Sequence, residues 1–288
     1  MDRRAHSSIP LASPAVRSAR PAGLGPWLAL GLPVLLMVLA PHLAPHPPDG
    51  FSLADRLQAP SLSHPLGTDA MGRCVLSRLL YGFAVTPAAA AAVVASAALI
   101  GGGLGLLLGM AGGWVDRVGM RIVDGGLIFP GIALALALSA ILGLGMTALV
   151  VSLSAVHWAE YARVVRTLVV SELGRPYVLA ATALGVRRHV IALRHILPNI
   201  THAVIVLIPF SLSWAILSFA GLSYLGLGPE PGSPEWGLMI AEGRAHMREY
   251  PRLMLAPGLT IVCLVIALNL LGDHLRARLA PGSDRLRL

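Results

Sequence analysis

Apolar residues in this chain gather in long unbroken runs, and the stretches between the runs are short and carry arginine. A helix that is apolar on every side has no face to offer water, and about 20 such residues cover the ~30 Å of a bilayer core. On that pattern six crossings are predicted, at 26–43, 85–109, 126–142, 146–161, 203–225 and 254–271. The charge-free run from 125 to 157 is too long for one crossing, so it is divided at Gly143-Leu144-Gly145, read as a tight turn. Pro33 and Pro209 fall inside the first and fifth crossings, where neighbouring helices or Ser/Thr side chains must satisfy the backbone groups they free. The alanine run from Ala88 to Ala92 suits close helix packing.

Composition agrees with lipid as the solvent. Of 288 residues 56% are hydrophobic and 12% charged, with a mean hydropathy of +0.74, which leaves too little polar surface to coat a soluble globule. The formal charge of +8 does not point to nucleic acid, because the arginines stand in blocks between apolar runs instead of along one face. Their placement orients the chain: 16 of the 22 fall on the N-tail, the second-to-third connection, the loop after the fourth crossing and the C-tail. That bias sets both termini in the cytoplasm, and the fold class is an all-α membrane protein of about six transmembrane helices. The arginines before the first apolar run resemble a signal peptide, but the polar part is long and the span is read as retained.

Several chemistries are excluded or weakened. Every basic residue is arginine, so the lysine that a P-loop needs for the β/γ-phosphates is absent. No HExxH occurs, and Gly221 to Tyr224 lacks the second glycine of a rhomboid-type serine protease, which argues against a membrane-embedded enzyme. Cys74 lies in an extramembrane motif and Cys263 in an apolar run, which argues against a disulfide between them, and two thiolates are too few ligands for a metal site built on thiolates.

Three ordered motifs carry a resemblance. His64 to Gly82, HPLGTDAMGRCVLSRLLYG, is similar to the HPLGTDxxGRDxxSRxxxG pattern of permease subunits of the dipeptide, oligopeptide and nickel ABC importer family. Gly221 to Gly237, GLSYLGLGPEPGSPEWG, is similar to that family's second pattern. Tyr177 to Ile200, YVLAATALGVRRHVIALRHILPNI, resembles the loop by which such permeases dock on their ATPase. With Gly272-Asp273, the resemblance covers about 61–281 and points to the member of the permease pair that has an extra periplasmic loop.

The resemblance implies an ABC importer permease of the type I fold in a bacterial cytoplasmic (inner) membrane. Its expected organisation is a cytoplasmic disordered tail at 1–23, a first transmembrane helix at 24–45, and an extracytoplasmic segment at 46–84. A permease core at 85–272 follows, with a cytoplasmic ATPase-docking loop near 162–200 and a tail at 273–288. The expected partners are a second homologous permease, two cytoplasmic ATPase subunits, an extracytoplasmic solute-binding protein and membrane lipid, without nucleic acid. The chain itself is expected to be no enzyme and to hold no cofactor, with ATP and Mg²⁺ on the partner subunits. Residues matching the docking motif are Tyr177, Ala180, Ala181, Gly185, Leu197 and Pro198. Adjacent alanines leave a shallow surface for a partner's cleft, and glycine turns the chain where a Cβ would be strained. The alternative is an amphipathic interfacial helix with its arginines on anionic headgroups.

Four departures bear on substrate: Leu179 and Phe219 where the peptide members usually have Glu, Cys74 where Asp is usual, and Ala84 where Arg is usual. The first two, together with HWAEYARVVRTLV at His157 to Val169, resemble the nickel branch, so nickel, as ion or chelate, is the expected substrate and di- or oligopeptide the alternative. A secondary transporter running without ATP is the distant alternative, since the docking loop would have no use there and no paired broken-helix repeat is seen.

Candidate pathway residues are Asp124, His157 and Glu160, with the metal ligands left unknown. His157 and Glu160 lie three apart and share a helix face. They read either as a nickel contact or, more simply, as His157 and Trp158 in an interfacial belt with Glu160 paired to Arg163 at the cytoplasmic boundary. His195 and His202 follow the docking loop. Asp124 is expected to pair with Arg121 or to face the pathway. Glu230, Glu235 and Trp236 are read as a contact for the binding protein or as a capped turn packing the outer mouth.

Overall fold

The computed structural model describes residues 39–279 apart from Pro41, so the N-tail, most of the first predicted crossing and the end of the C-tail lie outside the described residues. Eight helices organise the rest: α1 (Val75–Ala111), α2 (Gly113–Ile128), α3 (Gly131–Leu142), α4 (Met146–Leu173), α5 (Pro176–Ala183), α6 (Arg188–Leu227), α7 (Trp236–Gly243) and α8 (Arg252–Leu279). Among the described residues there is no strand, only one bridge between Thr68 and Cys74. Within α6 the backbone adopts π geometry at Ile191–Ile196 and again at Ser223–Leu227.

The expected turn at 143–145 is present, with Gly143 at φ 96° and Gly145 at φ 124° between α3 and α4. The third crossing differs from its expected form. It is not one helix but α2 and α3, bent by 80°. Pro130 has no N–H to continue the ladder and pushes Phe129 into an extended conformation, φ −81° and ψ 141°, which breaks the helix. Arg117 and Arg121 accordingly ride on α2 and not on a loop. The fourth crossing runs on as helix to Leu173, well past its expected end at 161.

Among the described residues α1, α6 and α8 are long and apolar enough to cross a membrane, and the bent pair makes up to four. α4 has the length, but His157, Glu160 and Arg163 interrupt its apolar character.

α1 and α4 run parallel and touch backbone to backbone. A Cβ on Gly101 would lie 2.0 Å from the Trp158 carbonyl oxygen, and one on Gly105 would lie 2.4 Å from that of Ala162. Small residues at a spacing of four let two helices approach this closely where lipid gives no hydrophobic drive for association. The alanine run contributes Ala89 and Ala90 to the core, but the closest approach belongs to these glycines. α2 and α3 return antiparallel along α4, α6 rises beside α1, and α8 descends along α6. The main core lies where α1, α4, α6 and α8 meet, around Val93, Leu149, Leu153, Phe219 and Leu264.

This path creates two ends. α1 and α4 finish at one, where α5 lies, and α1 and α8 begin at the other, where the His64 and Trp236 motifs lie.

Candidate functional site

At the first end, α5 is a two-turn helix held by a small core of its own. Pro176 occupies its first position, where the missing N–H costs nothing. Val178 and Ala181 face inward onto Val165, Val169, Ile191, Ile196 and Ile200 of α4 and α6. The opposite face is bare: Tyr177, Leu179 and Leu184 are exposed, with Leu193 and Leu197 of α6 beside them. Of the predicted docking residues, Tyr177, Ala180, Gly185, Leu197 and Pro198 lie on this surface, whereas Ala181 is turned into the small core.

Gly185 closes α5. The Val186 N–H donates to the Ala181 carbonyl and the Gly185 N–H to that of Thr182, the two bonds of a Schellman motif. Val186 then packs against the same small core. The motif requires the left-handed φ of +78° seen at Gly185, while nothing lies within 4 Å of the place a Cβ would take. Glycine is needed there for backbone conformation and not for space.

Tyr177 is the clasp of this unit. Its hydroxyl donates to Glu172 Oε2 at 2.6 Å and accepts from Asn199 Nδ2 at 2.9 Å, joining α5 to the end of α4 and the start of α6. Partial desolvation, and then the Glu172 carboxylate that accepts its proton, raise the phenol above its ordinary pKa.

The candidate pathway residues separate into two places. Asp124 pairs with Arg163 at 2.6 Å, not with Arg121 as expected, because antiparallel packing brings α2 against α4. Arg163 is therefore not the partner of Glu160. Glu160 Oε2 instead lies 3.3 Å from His157 Nδ1. His157 is buried, stacks on Trp214 at 4.4 Å and meets Tyr161 edge-on, so it is not an interfacial belt residue. These side chains, with Ser211 and Phe210, line a cavity of about 130 Å³ between α4 and α6. A second ion pair, Arg166 with Asp116, joins α4 to α2 nearer the α5 end, with Nε to Oδ1 at 2.9 Å.

At the other end the two remaining motifs, far apart in sequence, form one ledge. Asp69 Oδ2 accepts from Arg73 Nε at 2.7 Å and from Arg78 at 2.8 Å, and Glu242 Oε2 accepts from both arginines at 2.8 Å. Arg78, 2% exposed, also donates to the Ser233 carbonyl. Sequence reasoning misses Glu242, whose only signal is an unexplained acid five residues after the Trp236-Gly237 pair. The ledge borders a cavity of about 650 Å³ lined by Asp49, Phe51, Arg73, Gly232 and Glu242 among others.

Glu235 and Trp236 are internal to this ledge. Glu235 caps α7, accepting from the Gly237 and Leu238 N–H groups at 2.8 and 2.7 Å, and burial raises its carboxyl against those bonds and one from Thr86. Trp236 donates to the Leu79 carbonyl and would meet a Cβ on Gly82 at 2.1 Å. Of the predicted binding-protein contacts only Glu230 is exposed; the other two serve the capped turn.

Residues 101–285 match the family described as binding-protein-dependent transport system inner membrane component. The chain is 41% identical over 261 residues to the glutathione transport system permease protein of Pectobacterium atrosepticum, covering 88% of this chain and 86% of that one. It is 39% identical over 251 residues to the glutathione transport system permease protein of Escherichia coli, covering 86% and 82%. A dipeptide transport system permease protein of Alkalihalophilus pseudofirmus is 36% identical over 248 residues, covering 86% and 82%.

Proposed function

Because this chain belongs to the family of inner membrane components of binding-protein-dependent transport systems, we propose that it is the permease subunit that carries short peptides through an ABC importer. The relatives named above transport glutathione and dipeptides, which favours a peptide of two or three residues over the nickel expected from the His157 segment. The chemistry of that segment argues the same way. His157 and Glu160 supply two ligands already engaged with each other, fewer than the four to six that a square-planar or octahedral divalent ion takes.

The observation that carries the mechanism is the uncovered face of α5, with Leu179 56% exposed on a helix whose other side is packed and Leu184 84% exposed at its C-cap. In the proposed cycle a binding protein delivers peptide to the ledge end, and ATP closes two separate ATPase subunits against α5 and its counterpart on a second permease. α5 is clasped to both α4 and α6, so motion of the ATPase reaches the two helices that line the small cavity. The chain makes and breaks no covalent bond; ATP is held and hydrolysed with Mg²⁺ on the partners, and the path alternates its opening by differential binding.

The test is uptake in cells lacking the chain, with and without its return, using labelled glutathione, a labelled dipeptide and ⁶³Ni²⁺ in parallel. Restoration of either peptide without nickel is the expected result. Restoration of nickel alone would overturn the peptide reading.

A further inference from the structure

Where α1 begins, at the ledge end, three side chains suited to a metal come together, and the transport cycle above assigns none of them a role. His46 comes from the segment preceding the ledge, His64 opens the HPLGTD motif, and Cys74 caps α1. One nitrogen of each ring and the Cys74 sulfur all lie within 4.8 Å of one another.

Two independent features make this more than proximity. Nδ1 of both histidines is buried with no hydrogen-bond partner among the described residues, a state that costs free energy unless something fills it. Cys74 is a free thiol, 2% exposed. The two rings stack at 4.5 Å with 29° between their planes.

Each ligand is also held by its own backbone. The His46 N–H donates to Ser77 Oγ at 3.1 Å, fixing the incoming segment to α1. The His64 N–H donates to Ser61 Oγ at 3.1 Å, and its carbonyl accepts from Gly67 at 2.7 Å. Cys74 is bridged to Thr68. The backbone at each ligand is thus already ordered before an ion binds, which lowers the cost of binding.

We propose that His46, His64 and Cys74 bind one transition-metal ion of the Zn²⁺ class as a resident clip at the start of α1. Two imidazoles and a thiolate select borderline or soft ions, and the lack of a carboxylate in the set disfavours Mg²⁺ and Ca²⁺. Three protein ligands leave a fourth position for water. Bond lengths of about 2.0–2.1 Å to nitrogen and 2.3 Å to sulfur set tetrahedral ligand separations of roughly 3.3–3.7 Å. From a limit of 4.8 Å this asks for about 1 Å of closure, within the reach of side-chain rotation. The thiol proton is released to solvent on binding and the imidazoles bind neutral, so affinity rises with pH. The ion would stabilise the junction of the incoming segment and the ledge, and its binding is read without transport, so it stands or falls separately from the peptide reading.

The test uses the full chain, purified in detergent without a polyhistidine tag, reduced and stripped of metal, then titrated with Co²⁺. The expected result is one equivalent bound with a thiolate-to-cobalt band in the near ultraviolet. Zn²⁺ should displace the cobalt and raise Tm by about 5 °C. Cys74→Ser should abolish the band, His46→Gln should weaken binding at least tenfold, and Cys263→Ser should change neither. His46→Gln lies outside the helices and serves if the Cys74 variant does not fold. No band in the wild type, a band surviving in Cys74→Ser, or a band lost only in Cys263→Ser would each overturn the proposal.

Discussion

Single residues differ sharply in what their removal should cost, and burial decides the order. Glu242 is shared by two nearly buried arginines, so Glu242→Gln leaves Arg73 and Arg78 with Asp69 alone for their charge. Breaking such a network typically costs about 3–5 kcal/mol, and because the Glu242 side chain keeps 28% of its exposure the expected loss is about 2–3 kcal/mol. Thermal unfolding in detergent measures it. Asp124→Asn breaks a pair whose partners are 51% and 53% exposed, so the same assay should register less than about 1 kcal/mol. The residues of the His64 and Trp236 motifs were legible in sequence as a pattern, but their mutual contacts were not. Glu242 and Arg78 come together only because α7 folds back over α1. Local spacing likewise points Asp124 to Arg121 and Glu160 to Arg163, but packing of α2 on α4 gives Arg163 to Asp124 and leaves Glu160 beside His157, three residues back on the same helix. Ala180 and Ala181 look equivalent in sequence, and only helix phase shows that one faces out and the other in.

Helices in this protein are shaped by small residues as much as by apolar ones. Gly105→Leu drives a side chain into the Ala162 carbonyl, and no rotamer avoids backbone atoms. The expected outcome is loss of stable inserted protein, seen as proteolysis on a membrane immunoblot, whereas Gly103→Ala, with nothing within 4 Å, should accumulate normally. Long apolar runs made α1, α6 and α8 legible in sequence, because a bilayer demands them. The break at Pro130 was hidden by continuous apolarity on both sides, and hydropathy carries no information on direction. Hydropathy ends α4 near 161 although the helix continues to Leu173, because a helix leaving the membrane loses its apolar signal while keeping its hydrogen-bonded ladder. α5 belongs to the same class: short and half-buried, it was visible through its resemblance to the docking motif and its glycine stop rather than through hydropathy.

At the scale of the whole described molecule, packed helices join the ledge end to the α5 end, and the proposed function depends on the α5 end being a handle for another protein. Gly185 separates that role from folding. Gly185→Val strains a left-handed backbone position by about 1–3 kcal/mol with open space around the new Cβ, so the chain should insert while α5 loses its proper stop. The measurement that tests the account most directly is co-purification of the ATPase subunits with this chain, paired with ATP-driven peptide uptake in proteoliposomes, for the wild type and Gly185→Val at equal insertion. The account predicts that the wild type retains the ATPases and takes up peptide only with ATP, and that the variant loses both together. Equal retention of the ATPases and unchanged uptake in the variant, or uptake by the wild type without ATP, would contradict it.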